Sequence, residues 1–305
     1  MTAPTEPPGD SALAQLRRVV LSWYAAERRD FPWRGISDPY AVLVSEVMLQ
    51  QTQAVRVAGR YPRFMARFPA AQALAAAATA DVLTEWSGLG YNRRALNLRR
   101  AAAQVAAGGW PTDVAGLERL PGVGPYTARA IASLAFREPV GVVDTNVRRW
   151  LLRRFGVPDD PKRLQQLADR LAAPGRGPSV ASWTHASMEL GASVCTARRP
   201  RCGACPLETS CPSRNGAARV PVPRQASLRG SDRAYRGAIV RTLAAEAGGA
   251  AAEPALRGAL AAQAGRIGPP LDDERWERIV DELEREGLAH RSSGSVALGE
   301  ATIGA

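Results

Sequence analysis

The sequence predicts an all-α protein. Apolar residues recur at helical spacing, short helical patterns end on glycine or proline joints, and alternating β-branched runs are nearly absent before residue 290. Residues 11–29 place Leu13, Leu16, Val20 and Trp23 on one buried stripe. "SDPYAVLVSEVMLQ" opens with Asp38 as N-cap and Pro39 at the first helical position. "DVLTEWSGLG" and "RRALNLRRAAAQVAAGG" each run helically into a glycine stop. About ten such helices are expected in the main body.

Composition divides the chain further. Residues 1–10, Pro-rich and acidic, read as a disordered lead-in rather than a secretory signal. Residues 11–218 read as one helical domain, and 219–230 ("RVPVPRQASLRG") as a linker beginning at Arg219. Three helical patterns follow, at 231–247, 253–265 and 271–286, and then "GLAHRSSGSVAL" reads as strand, turn, strand. The segment 231–298 is thus expected to be a small winged-helix-like domain. Its third helix carries eight Asp/Glu against three Arg, which argues against that helix entering a DNA groove.

The net charge of +11 is uneven. The first 223 residues hold 29 basic and 17 acidic side chains, whereas the remainder holds 11 and 12. A basic main body fits a polyanionic partner, most simply nucleic acid, although an Arg-rich genome composition would explain much of the arginine. No run of eighteen apolar residues is present, so a cytoplasmic, nucleoid-associated protein is expected. One lysine (Lys162) and two distant histidines (His185, His290) leave little material for a Ser-His-Asp triad or a lysine Schiff base, and no Walker A Gly-Lys pair exists. Carboxylates, tyrosines and four cysteines remain for chemistry.

"LPGVGPYTARAI" places a Gly122-Val123-Gly124 turn directly before a helix whose N-terminus favours an anion such as a DNA phosphate. An ordinary tight helix–helix turn is the alternative, and the basic body shifts the balance towards phosphate. In "VVDTNVRRWLLRRF", Asp144 either merely caps a basic helix or faces a sugar on which positive charge develops. Glu46 shares a helical face with Leu43, Leu49 and Gln50. A glutamate buried there would have a raised pKa suited to a general acid, whereas a solvated glutamate would not; spacing alone does not choose. The cysteines Cys195, Cys202, Cys205 and Cys211 follow a C-x6-C-x2-C-x5-C pattern within seventeen residues. That clustering indicates a metal centre rather than disulfides. Only one C-x2-C knuckle is present, so an iron–sulfur cluster fits better than a zinc ribbon.

Taken in order, these motifs resemble the MutY-type adenine DNA glycosylases of the helix-hairpin-helix, endonuclease-III-like superfamily, from about Leu13 to Cys211. "WSGLGYNRRALNL" and "MELGASVC" extend the match. The resemblance implies a monomeric base excision repair enzyme that removes adenine mispaired with 8-oxoguanine or guanine in double-stranded DNA. In that case Glu46 would protonate the leaving base, Asp144 would stabilise the sugar cation, and Tyr126 and Asn146 would assist. Trp33, Arg34, Leu49 and Glu189 would line the pocket for the flipped base. Gln51, Thr52 and Tyr91 would contact DNA where the base has left, and Gly122, Val123 and Gly124 would contact its backbone. The cysteines would hold a 4Fe-4S cluster, with Arg198, Arg199 and Arg201 meeting phosphates. Bifunctional relatives carry a lysine where this chain has Tyr126, so hydrolysis that leaves an abasic site is expected. Two departures stand out: residues 224–305 are too short and helical for the family's common Nudix-like domain, and Asn92 replaces a frequent second aromatic. Rival readings are a thymine glycosylase acting on T:G mismatches, a non-catalytic iron–sulfur DNA-binding protein and a zinc-containing nucleic-acid module.

Overall fold

A computed structural model describes residues 8–174, 177–214 and 227–301. Most of the expected lead-in and most of the expected linker lie outside them. Sixteen α-helices and three short strands are found among the described residues. The chain folds into two compact units that interleave in sequence: the first draws on 1–46 and 110–223, the second on 47–109 and 224–305. The chain leaves the first unit inside the Pro39–Leu49 helix and returns just after the Arg93–Gly108 helix. A compact body here is therefore not a single run of sequence.

The first unit is built on apolar stripes. Leu13, Leu16, Val20 and Tyr24 of the Asp10–Glu27 helix pack against Trp150 and Leu151 of the Thr145–Phe155 helix and against Leu167 and Trp183. Tyr24 takes the buried place that spacing suggested for Trp23, which is only half-buried at the edge of that core. Trp150 and Trp183 meet edge to face, 6.4 Å between ring centroids, an arrangement the aromatic quadrupole favours. Asp38 caps the Pro39–Leu49 helix as expected: its Oδ2 accepts from the Ala41 N–H at 2.9 Å. Residues 41–48 of that helix are buried on every side, so it is a central helix rather than an amphipathic one. Glu46 thereby enters the core.

In the second unit, five helices from Ala54–Ala58 to Arg93–Gly108 pack around Phe64, Phe68 and Trp86. Its other described residues form four helices, Asp232–Leu243, Glu253–Ala261, Ala264–Ile267 and Asp273–Arg285, where three helical patterns were expected. Strands β1 (Ala250–Ala252), β2 (Ala289–Ser292) and β3 (Ser295–Leu298) pair antiparallel in the order β1-β3-β2. Ser293 and Gly294, at φ +46° and +78°, make the two-residue turn between β2 and β3. Tyr235, Trp276, Ile279, Leu283 and Val296 are buried at its centre.

Candidate active site

Four segments of the first unit bring titratable groups together. The Pro39–Leu49 helix contributes Glu46, the hairpin before Pro125–Leu134 contributes Tyr126, and the Thr145–Phe155 helix begins with Asp144. Arg34 comes from the turn that follows the first helix.

Glu46 is 4% exposed and its Oε2 has no hydrogen-bond partner. Burial pushes its pKa up to about 7; a hydrogen bond from the Tyr126 hydroxyl and the charge of Arg34 pull the other way, and Asp144 adds to the rise. The Tyr126 phenol is driven well above its ordinary value, first by burial and then by the two carboxylates, so it stays protonated as the donor. Asp144 is the helix cap, the first of the two readings the sequence left open. Its Oδ1 caps the helix by accepting from the Val147 N–H (2.6 Å), and Oδ2 accepts from the Asn146 amide (2.7 Å). Burial raises its pKa, while these two donors and Arg149 favour the ionised form.

Behind this pair lies a network of arginines. Arg34 Nη2 donates to Glu189 Oε2 at 2.8 Å, Arg29 Nε donates to Glu189 Oε1, and Arg34 Nη1 donates to His185 Nδ1. Burial and then Arg34 hold the His185 imidazole well below its usual pKa, so it is neutral and accepts on Nδ1. Glu189 is 0% exposed and both its oxygens are spent on arginines. It anchors Arg34. Trp33 is buried and stacks on Phe31, with 4.9 Å between centroids. His185 was not anticipated, although it stands one helical turn before Glu189 and so shares its face.

The hairpin joins helix Val114–Glu118 to helix Pro125–Leu134. Gly122 adopts φ +76°, a conformation that favours glycine. Gly124 is extended, and a Cβ added there would meet no atom of the protein, so any demand for glycine comes from a ligand approaching from outside. Val123 serves the turn instead: its side chain is buried and its N–H donates to the Leu120 carbonyl (3.1 Å). The N–H groups of Gly122, Gly124 and Tyr126 have no partner among the described residues and can meet a phosphate.

A π-helical turn, Leu190–Val194, leads into Cys195. A Cβ on Gly191 would lie 2.4 Å from the Asn146 carbonyl oxygen, so only glycine lets these segments approach. Arg149 donates to Asn146 Oδ1 (2.8 Å), the Gly191 carbonyl (2.6 Å) and the Cys195 carbonyl (2.7 Å), joining the Asp144 cap to the cysteine loop. The four cysteines are free thiols lining one pocket, with Arg153 Nη1 at 3.4 Å from Cys195 Sγ. Among the described residues, no three His, Cys, Asp or Glu side chains close to the geometry of a single ion. Four thiols around one pocket supply the donor set of an iron–sulfur cluster.

The expected DNA contacts on the second unit are shaped by a residue that spacing did not reveal. Arg94 donates to the carbonyls of Val47, Met48, Gln50, Leu89 and Gly90 and to Thr52 Oγ1. It clamps the loops that carry Gln51 and Tyr91, both non-glycine residues at positive φ (+54° and +48°). Burial lowers its pKa to about 10, which leaves it charged at neutral pH. Thr52 is thereby partly engaged inside the protein, and Leu49, near the C-terminal end of its helix, is half-buried.

Residues 44–174 match the family described as HhH-GPD superfamily base excision DNA repair protein, and residues 195–211 match the iron-sulfur binding domain of endonuclease III. The cysteine loop accordingly holds a 4Fe-4S cluster. Adenine DNA glycosylase of Mycobacterium tuberculosis is 44% identical over 74% of this chain and 77% of its own length. The Homo sapiens adenine DNA glycosylase is 42% identical over 70% of this chain and 42% of its own. Among solved structures, a thermostable thymine-DNA glycosylase superposes with a TM-score of 0.61 at 28% identity, covering 67% of this chain and 96% of that one. A trapped endonuclease III–DNA covalent intermediate, at a TM-score of 0.57 and 22% identity over 68% of this chain and 97% of that one, shares the fold. A carboxylic acid near neutrality beside a capped aspartate, a glycine hairpin and a four-cysteine loop thus occur in a chain that belongs to the adenine DNA glycosylase family of base excision repair proteins.

Proposed function

We propose that the chain hydrolyses the N-glycosidic bond of adenine mispaired with 8-oxoguanine or guanine in duplex DNA, releasing adenine and leaving an abasic site. The observation that carries this reading is Glu46, enclosed, lacking a partner on Oε2 and half-protonated near pH 7. Protonated, it gives its proton to the departing base as the bond to the sugar breaks. The ionised Asp144, held by the Val147 N–H and the Asn146 amide, offsets the positive charge left on the sugar until water adds. Burial raises both carboxyls, but two hydrogen-bond donors and Arg149 favour the ionised form of Asp144, whereas Glu46 is opposed only by the Tyr126 hydroxyl and the charge of Arg34. Extruding the base costs a few kcal/mol, offset by DNA contacts at the hairpin glycines, Gln51 and Tyr91. The 4Fe-4S cluster, when bound, cross-links the 195–211 loop through its thiolates. The one lysine of the sequence, Lys162, lies in the first turn of the Pro161–Ala172 helix.

Base release from A:8-oxoguanine, A:G and T:G duplexes tests the substrate directly. Release of adenine from the first two and no release of thymine is expected. Thymine release would favour the T:G reading, and an efficient borohydride-trapped enzyme–DNA adduct would contradict simple hydrolysis.

A further inference from the structure

The second unit contains a cleft of roughly 990 Å³, one wall built from the 47–109 helices and the other from the Asp232–Leu243 helix of the winged-helix-like domain. Its charges are unequally spent. Arg236 is paired with Glu282 (3.1 Å) and Glu286, and Asp232 with Arg275 and Arg278 (2.7 Å each). Arg291 engages Glu277, Asp281 and Glu284 at 2.6–2.7 Å. These pairs tie the acidic Asp273–Arg285 helix into its own domain.

Five arginines on the cleft have no carboxylate partner among the described residues; Arg94 is spent on backbone carbonyls, which leaves Arg56 and Arg93 on one wall and Arg233 and Arg241 on the other. Arg56, Arg93 and Arg233 are exposed. Arg241 is half-buried and feels the like charge of Arg266, an arrangement that an anion would relieve. Arg233 Nη1 also donates to the Tyr91 hydroxyl at 2.7 Å and its guanidinium lies 5.5 Å from that ring. That contact uses one of its five donors. The winged-helix-like domain thus holds the same tyrosine that the 47–109 segment offers to DNA.

We propose that this cleft is a DNA-strand site, in which Arg56 and Arg93 from one wall and Arg233 and Arg241 from the other neutralise backbone phosphates of the duplex being repaired. The inference rests on the duplex substrate proposed above. It gives the winged-helix-like domain a DNA contact through its first helix, with the acidic third helix kept as internal scaffold.

The test is equilibrium binding of the cluster-loaded full chain to a labelled A:G duplex across a salt series, with base release measured separately. Arg233→Ala/Arg241→Ala and Arg56→Ala/Arg93→Ala are each expected to flatten the slope of log affinity against log salt by about 2 and to weaken binding roughly tenfold. Arg233→Lys/Arg241→Lys, which keeps the charge, is expected to retain the slope. Melting temperatures identify a variant that fails to fold, and the exposed Arg56/Arg93 pair then carries the test. Unchanged slope and affinity in folded variants of both walls would overturn the inference, even if adenine release is normal. Conversely, absent base release with flattened slopes would sink the substrate proposal and leave the cleft assignment standing.

Discussion

Glu46 and Glu189 are both buried glutamates of the first unit, and both are near Arg34, yet their surroundings prepare them for opposite work. At the Glu189 end, two arginines take both oxygens and the side chain is fully enclosed. At the Glu46 end, one oxygen has no partner and Arg34 acts only from a distance, so burial wins and the carboxyl stays protonated up to about pH 7. A paired buried charge positions its neighbours, whereas an underpaired one is a proton source. Arg34 connects the two ends because its guanidinium is committed to Glu189 and His185.

The sharpest way to break this comparison is to swap the roles. Glu46→Gln keeps the size and removes the proton, and single-turnover adenine release is expected to fall by about 10²- to 10⁴-fold with DNA binding intact. Unchanged release would mean that another group supplies the proton. Glu189→Gln should act first on the fold, since it strips a buried arginine of its counter-charge; a loss on the order of 3 kcal/mol in denaturation is expected. A variant as stable as the parent would show the pairing to be dispensable.

A smaller effect follows from linkage. Because burial raises Glu46 from 4.5 to about 7, the folded chain holds that proton more tightly than the unfolded chain does. The associated stability is complete below about pH 4.5 and is lost as pH rises through 7, amounting to about 3 kcal/mol at most. Denaturation midpoints of Glu46→Gln and the parent should therefore diverge from pH 5 to pH 9, the variant gaining. Parallel curves would place Glu46 in solvent. The smallest change is expected from Tyr126→Phe, which removes the hydrogen bond that lowers the Glu46 pKa. The alkaline limb of the rate profile should move to higher pH, and a shift to lower pH would reverse the assigned role of the phenol.

Sequence patterns went a long way where the determinants are local. The caps at Asp38 and Asp144, the glycine stop after Arg93–Gly108 and the stripe on the acidic third helix all depend on neighbours within a few residues. Strand β1 escaped because "AAA" has no strand propensity of its own and is held by pairing with β3. The short helices of 54–76 escaped because five to seven residues cannot display a full stripe. At the site, Glu46 and Asp144 were legible as residues, but the burial that distinguishes their protonation was not. That protonation also reflects Tyr126 and Arg34, which oppose burial at Glu46 and are brought in by other segments. Arg94 looked like one more basic residue in an arginine-rich helix, and only folding reveals that it gathers six carbonyls, that of Tyr91 included.

The carboxyl of Glu46 can be titrated directly by carbon-13 NMR of glutamate-labelled protein, its resonance identified by its absence in Glu46→Gln. A single transition near pH 7 is predicted. A transition near pH 4.5, the ordinary range for an exposed glutamate, would contradict the assignment of this residue as the acid.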